Sequence, residues 1–122
     1  MKFDLEDRII EYSSMVIGFS KTLSNNYVTN YLSNQMVRSG LSPALNYAEA
    51  QGGESRKDFV HKMKITLKEL GETRMNLKII ERSSLSSEVE ILTKLIEENN
   101  QLISIFVKSI ETAKRNLENE KS

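Results

Sequence analysis

The hydrophobic positions of this chain recur at steps of three and four, the spacing of one helix face, along almost its whole length. Turn-forming segments divide the pattern, the clearest being Gly52-Gly53 and the serine-rich run 83–87. The pattern therefore predicts four helices, over about residues 4–23, 26–51, 55–82 and 86–118. Helices of this length joined by short turns predict an all-α domain over residues 1–122, folded as an antiparallel up-down four-helix bundle.

Pro43 lies inside the second predicted helix, where it removes a backbone hydrogen bond and crowds the carbonyl of Ser39. Two interpretations follow: one helix kinked at the proline, or a break after which Ser42 caps a new helix. We favour the kinked helix, because the polar side chains of this segment keep their phase across the proline.

The fourth helix has the longest apolar stripe, ten positions over residues 85–117 that only Asn99 interrupts. A polar residue in such a stripe is typical of a side chain that specifies helix register or oligomeric state, at some cost in stability. Leu95, Leu102 and Ile105 add apolar surface beside the stripe. A helix with two buried sides usually has a second partner, so we expect another subunit here.

A polar stripe on the second helix differs from an ordinary solvated face. Six side chains, most of them short and uncharged, fall within an arc of about 100° of the helix surface. They are Gln35, Arg38, Ser39, Ser42, Asn46 and Glu49. Because a solvated face is usually rich in Lys and Glu, this composition indicates close packing against another element.

The third helix offers carboxylates to this stripe. If Arg38 lies in the bundle interior or at a subunit contact, it requires an acidic partner, because an unpaired buried guanidinium costs on the order of several kcal/mol. Glu69 and Glu72 are the candidates. We interpret the six stripe residues and these two glutamates as a closed polar network that fixes helix register or oligomer geometry. A ligand pocket and a solvated face are the alternatives.

The third helix also has a basic side. Six side chains project within about 100° of one another: Lys57, His61, Lys64, Lys68, Lys78 and Arg82. Residues 54–82 contain eight basic and five acidic residues, a net charge of +3. Such a basic side is able to follow the phosphate backbone of a nucleic acid, and each phosphate that it neutralises makes the binding affinity more dependent on salt concentration. The alternative is a Lys-rich outer face that maintains solubility, since no exposed aromatic side chains are interleaved with it for base stacking.

The composition argues against most kinds of catalytic, metal and cofactor site. Lys plus Arg and Asp plus Glu both total 17, so no overall field attracts polyanions. The chain has no Cys for a disulfide or a zinc site, and its one His cannot supply the two Glu-x-x-His motifs of a di-metal bundle. Nucleotide-binding and nucleophile motifs are missing from the sequence. We therefore expect no catalysis, cofactor, metal or small-molecule substrate.

The expected location is the cytoplasm. The chain has neither the long apolar run of a signal peptide nor about 20 consecutive apolar residues to span a membrane. Its length and 39% hydrophobic content suit one compact core rather than two.

Several ordered blocks resemble one known family: Gln35-Met36-Val37-Arg38-Ser39, Ser42, Asn46-Tyr47-Ala48-Glu49-Ala50, Asp58-Phe59-Val60-His61-Lys62, Leu67-Lys68-Glu69-Leu70 and Glu72-Thr73. Over about residues 3–118 the chain resembles the small four-helix bundle proteins first noted as reading frames within intervening sequences of bacterial 23S rRNA genes. The resemblance implies a homopentameric ring without enzymatic activity. It also implies that most stripe residues, with Glu69 and Glu72, are family signature positions without a catalytic or ligand role.

Relatives of that family include the accessory proteins of diversity-generating retroelements, basic pentamers that bind a reverse transcriptase and nucleic acid. This chain departs from them in being neutral overall. We therefore expect a structural or interaction protein whose partner is itself, as a homo-oligomer and by resemblance a pentamer. The alternative is an RNA- or DNA-binding accessory protein that uses the basic side of the third helix.

Overall fold

The structure is a computed structural model that describes residues 4–121. It contains four helices: α1 (Leu5–Ser20), α2 (Tyr27–Gln51), α3 (Arg56–Arg82) and α4 (Val89–Lys121). No strand occurs in this range, so the predicted all-α class is confirmed. None of these helices is both long enough and apolar enough to cross a membrane.

Each helix packs against the next in the chain, and α1 packs against α4 to close the bundle. The diagonal pairs, α1 with α3 and α2 with α4, are further apart: within residues 4–121 no Cα atom of one lies within 8 Å of a Cα atom of the other, and they meet only through long side chains such as Tyr47 against Phe106. On α2 and α3 the partners run in opposite directions, because Ser39 meets Thr73 whereas the later Glu49 meets the earlier Lys62. This is the up-down order that short turns favour.

Side-chain caps define three of the helix starts. Asp4, Asn26 and Ser55 each accept a hydrogen bond from the backbone N–H three residues later, at 2.8, 3.0 and 3.1 Å. The predicted ends differ by a few residues at α1 and α4. The first helix ends at Ser20: Lys21 is its C-cap, and the backbone N–H groups of Thr22 and Leu23 bond to carbonyls three residues back. The fourth begins at Val89 rather than at residue 86.

The turn after α3 uses a left-handed residue. Ser84 has φ of 53°, and the N–H of Leu85 bonds to the carbonyl of Ile80 at 3.1 Å. This is the six-to-one bond of a Schellman C-cap, which satisfies a carbonyl at the helix end. It stops α3 and turns the chain toward α4.

The second helix is continuous through Pro43, so the alternative of a break at Ser42 is wrong. Near the proline, α1 approaches α2 closely. Ser13 Oγ donates to the carbonyl of Gly40 at 3.1 Å, and a Cβ placed on Gly40 would lie 2.8 Å from Val16 Cγ1. Only glycine permits this approach, because any larger residue would overlap the buried valine.

The core is built from all four helices. Its largest fully buried side chains are Ile9, Tyr12, Val16, Phe19, Met36, Met63, Leu70, Leu77, Ile80, Leu95, Leu102 and Phe106. Leu95 and Leu102 therefore face the bundle interior, and the expectation that they form a separate surface for a second subunit is wrong. Val89, predicted as part of the stripe, is exposed because it is the first residue of α4.

We predict opposite effects for two glycine substitutions. Gly40→Ala should lower the free energy of unfolding by about 1–3 kcal/mol, because the new methyl group overlaps Val16 in a packed site. Gly71→Ala should raise it by about 0.5–1 kcal/mol, because nothing lies within 4 Å of a Cβ there and alanine favours the helix. Urea unfolding followed by circular dichroism measures both. Equal midpoints for the two variants would contradict the close approach of α1 to α2.

Candidate functional site

A chain of buried hydrogen bonds crosses the bundle, and each helix contributes to it. Ser39 of α2 bonds to Thr73 of α3 at 2.7 Å between their hydroxyl oxygens. Thr73 also lies close enough to the hydroxyl of Tyr12 on α1 to lower the pKa of that tyrosine. Asn99 of α4 donates through Nδ2 to that Tyr12 oxygen at 2.6 Å and to the carbonyl of Leu70 at 3.2 Å. All four polar side chains of this buried chain are fully enclosed.

The direction of these bonds follows from their acceptors. The hydroxyl of Thr73 donates to the carbonyl of Glu69 at 3.0 Å, which leaves its oxygen free to accept from Ser39. Because the carbonyl of Leu70 can only accept, the Asn99 atom facing it must be the amide nitrogen. Asn99 Oδ1 then has no hydrogen-bond partner among the described residues. This cost fits a residue retained for specificity rather than for stability.

Enclosure changes the acidity of Tyr12. Burial raises the pKa of Tyr12 to about 12, and the contacts of its hydroxyl with Thr73 and Asn99 offset part of that effect. The hydroxyl therefore stays protonated at neutral pH. Because no substrate reaches this position, it suits a structural role.

The predicted polar stripe on α2 divides between the interior and the surface. Only Ser39 is fully buried. Gln35 is half-buried, as are Ser42 and Asn46, and Asn46 bonds along its own helix to Ser42 Oγ at 2.8 Å. Glu49 is exposed and pairs with Lys62 at 3.5 Å. The expected closed network of all eight residues is therefore wrong, because an arc of about 100° is wider than the strip of α2 that the core covers.

Arg38 reaches both predicted carboxylates, at 3.2 Å to Glu69 and 2.5 Å to Glu72. Its side chain is 54% exposed, so the group lies at the surface between α2 and α3 rather than in the interior. A hydrogen bond from Arg38 lowers the pKa of Glu72, and the two carboxylates raise the pKa of Arg38. An exposed pair of this kind adds little stability. We therefore expect Arg38→Ala to be tolerated in the isolated chain.

The predicted basic side lies on the outer face of α3. Lys57, His61, Lys64, Lys68 and Arg82 are exposed and Lys78 is half-buried. Across residues 4–121 none of these six forms a salt bridge, although Lys68 is close enough to Glu72 to help lower its pKa. The stripe is thus assembled as the sequence indicates, with its charges directed to solvent.

The sequence analysis did not identify the link between α1 and α4. Arg8 donates twice to Glu98, at 2.8 and 2.7 Å, and once to Gln101 at 2.6 Å. The hydrogen bond that Arg8 donates to Glu98 raises the pKa of Arg8. Arg8 is the only cation among the acids at the start of α1, which was a usable signal. Its partner, 90 residues away, could not be found from periodicity.

No three His, Asp or Glu side chains of the described range are grouped so that they could hold a metal ion. Tyr12 was not predicted as a polar partner. Its helical spacing assigned it to the apolar core stripe of the first helix, which is where it lies. A hydroxyl at a core position was the available signal for a hydrogen bond between helices.

We predict a pH-dependent loss of stability at high pH. Above pH 10 the unfolded tyrosine ionises, whereas folded Tyr12 keeps its proton up to about pH 12. The free energy of unfolding should therefore fall as pH rises from 10 to 12, by about 2–3 kcal/mol from this residue. Urea titrations at several pH values measure this fall.

The comparison for this prediction is Tyr12→Phe, which cannot ionise. It should be less stable at pH 7 by about 1–2 kcal/mol, because Asn99 loses an acceptor. Between pH 10 and 12 it should lose less stability than the unchanged protein. Parallel curves for the two proteins would show that Tyr12 is not enclosed.

Comparisons with known proteins agree with this architecture. A crystal structure of a protein of unknown function from the S23 ribosomal protein family, from Bacteroides thetaiotaomicron VPI-5482, is similar with a TM-score of 0.79 and 27% sequence identity. The similarity covers 88% of this chain and 98% of that one. A comparison with curated protein sequences finds no match. The model of the 23S rRNA-intervening sequence protein family matches residues 2–108. The chain therefore belongs to the 23S rRNA-intervening sequence protein family.

Proposed function

We propose that this protein is a non-enzymatic structural or interaction protein that acts by assembling with copies of itself. The observation that carries the proposal is an apolar groove between α1 and α2. Its volume is about 330 Å³. The groove is lined by Ile10, Ser13, Ser14, Ile17, Leu41, Ala44 and Leu45, none of which is charged.

The groove contains large apolar side chains that the single chain leaves in water. Ile10, Ile17 and Leu45 are exposed, Leu45 to 68%. Contiguous apolar surface of this kind is typical of protein contact sites, because its burial against a partner is favourable. The resemblance of the chain to pentameric bundle proteins supports a second copy as the partner.

The interior supports a role without catalysis. The one described residue whose pKa is raised as far as about 12 is Tyr12, which is sealed in the core. Arg38 pairs with both Glu69 and Glu72 at the surface of the bundle, whereas catalytic groups usually lie in a concave pocket with a strongly shifted pKa. The cysteine-free composition supports a cytoplasmic location.

We predict that the mass in solution is a multiple of the 14.0 kDa chain mass. Leu45→Lys should shift the protein to smaller species with unchanged helix content, because a charge in the groove opposes burial. Native mass spectrometry and sedimentation velocity measure both. The matched control is Val89→Lys, a similarly exposed apolar residue outside the groove, which should keep the assembly. If the protein without substitutions is a monomer, the proposal is refuted.

A second candidate function is RNA or DNA binding through the basic side of α3. The observation that favours it is the exposure of five of its six side chains, without salt bridges among the described residues. The acids of α3 project outside the basic arc: Asp58, Glu69, Glu72 and Glu81. In an assembly of several copies, these basic sides would add to one another.

For this candidate we predict weak, salt-sensitive binding of generic RNA and duplex DNA. The logarithm of the affinity should fall linearly with the logarithm of salt concentration, because each phosphate contact releases counterions. A double variant, Lys64→Glu with Lys68→Glu, should abolish binding, whereas Lys114→Glu on α4 should preserve it. Fluorescence anisotropy with labelled oligonucleotides measures this. Absence of binding at low salt would eliminate nucleic acid as a partner.

A further inference from the structure

We propose that a cleft between α3 and α4 binds an elongated organic dianion, a molecule with an apolar middle and a carboxylate at each end. The cleft has a volume of about 400 Å³, a size typical of small-molecule sites. It lies between the first turn of α3 and the part of α4 that follows residue 107, and its polar lining comes from Arg56, Lys108, Ser109, Thr112 and Asn116. None of its lining residues belongs to the groove between α1 and α2, so this inference does not depend on self-assembly.

The cleft exists because α4 continues past the start of α1. Arg8 of α1 contacts Glu98 and Gln101 of α4, and α1 begins only three residues before Arg8. Because the two helices are antiparallel in the up-down order, α4 has no described α1 residue beside it beyond about residue 105. Lys108 follows Gln101 by seven residues and Asn116 follows Glu98 by eighteen, so both lie on the side of α4 that α1 covers earlier. Both are exposed, and this side is open to solvent at this end of the bundle.

The floor of the cleft is apolar. Phe59 and Ala113 are half-buried, and Phe59 packs against the hydrophobic core. Ser109, also half-buried, and the exposed Thr112 place uncharged hydroxyl groups beside this floor. Among the described residues, no Asp or Glu lines the cleft. An apolar surface with a few neutral polar groups suits the body of an organic ligand, and the lining contains no negative charge to repel anionic ends.

A cation lies at each end of the cleft. Lys108 and Asn116 are about 12 Å apart along α4. Arg56 belongs to the Asn116 end, because its Nε is 2.9 Å from Oε2 of Glu120, one turn beyond Asn116. Lys108 forms no salt bridge with any described residue. Two positive charges separated by apolar surface are complementary to a ligand with two negative ends.

The pair between Arg56 and Glu120 indicates which anionic group the ligand carries. It shows that a carboxylate reaches the guanidinium at this end of the cleft. Both side chains are 57% exposed, and because an exposed pair adds little stability, a ligand carboxylate is able to displace Glu120. Glu120 is therefore a competitor tethered to the same chain. Its removal should strengthen ligand binding, an effect that a purely structural ion pair does not predict.

Most of the cleft lies outside the region that this chain shares with its family. The family model matches residues 2–108, and Ser109, Thr112, Ala113 and Asn116 follow that region. The site is therefore inferred from residues of this chain on which the family match does not bear.

Isothermal titration calorimetry with decanedioate as the probe tests the proposal. This molecule carries a carboxylate at each end of a straight alkyl chain. Decanoate, which lacks one carboxylate, should bind about tenfold more weakly, because one cation stays without an anionic partner. The uncharged diol of the same length should give no binding signal. A diol that binds as tightly as decanedioate would overturn the proposal.

Charge variants identify the two ends of the site. Arg56→Ala and Lys108→Ala should each weaken decanedioate binding about tenfold, because each removes one charged contact. Glu120→Gln should strengthen it about threefold, because Arg56 then has no competing carboxylate. The matched controls are Lys57→Ala and Lys114→Ala, exposed cations of the same two helices that do not line the cleft. Both should leave the affinity unchanged.

A variant without a charge change tests the floor. Ala113→Leu fills the cleft and should weaken binding about tenfold, whereas the helix content measured by circular dichroism should stay unchanged. Absence of a binding signal from the protein without substitutions overturns the proposal, as does equal weakening by the two control lysine variants. Binding that requires Arg56, Lys108 and an open floor, and that gains from Glu120→Gln, supports it. A monomeric protein would refute the proposed function and leave this inference unaffected.

Discussion

The hydrogen-bond chain through the bundle interior is the constraint on which the rest of the structure depends. Ser39, Thr73, Tyr12 and Asn99 come from four different helices, and each is enclosed by apolar side chains. A helix displaced by one turn would leave several of these groups buried without partners, at about 1–3 kcal/mol each. Apolar packing alone tolerates such shifts more easily, since leucine against leucine has little directional preference. The polar chain therefore selects one register among several compact ones.

This constraint explains why one acceptor is left without a partner. The amide nitrogen of Asn99 donates two hydrogen bonds, whereas its Oδ1 has no hydrogen-bond partner among the described residues. A leucine at this position would extend the stripe of α4 but would not distinguish the correct alignment of α1 with α4. The loss is tolerable because the surrounding side chains pack around it, and Arg8 joins the same two helices from outside through Glu98.

The four helices and the all-α fold class were predictable, because both depend on local periodicity. The bounds of α2 and α3 match within one residue, and the partners of Arg38 were identified from charge alone. The burial of the individual residues in the polar stripe of α2 was not predictable. Periodicity shows which residues share one arc of the helix surface. Which edge of that arc faces the core depends on how α2 is rotated about its own axis against α3. Ser39 therefore faces inward and Glu49 outward, although both belong to the same arc.

The close contact at Gly40 has a consequence for the surface. The separation of α1 and α2 is set where Val16 lies against the glycine backbone, and the walls of the groove are the next residues on those two helices. The width of the recess is therefore determined from inside the bundle. Sequence drift at a position that never meets solvent could tighten or loosen quaternary structure, so related bundles could diverge in subunit affinity while their outer surfaces remain alike.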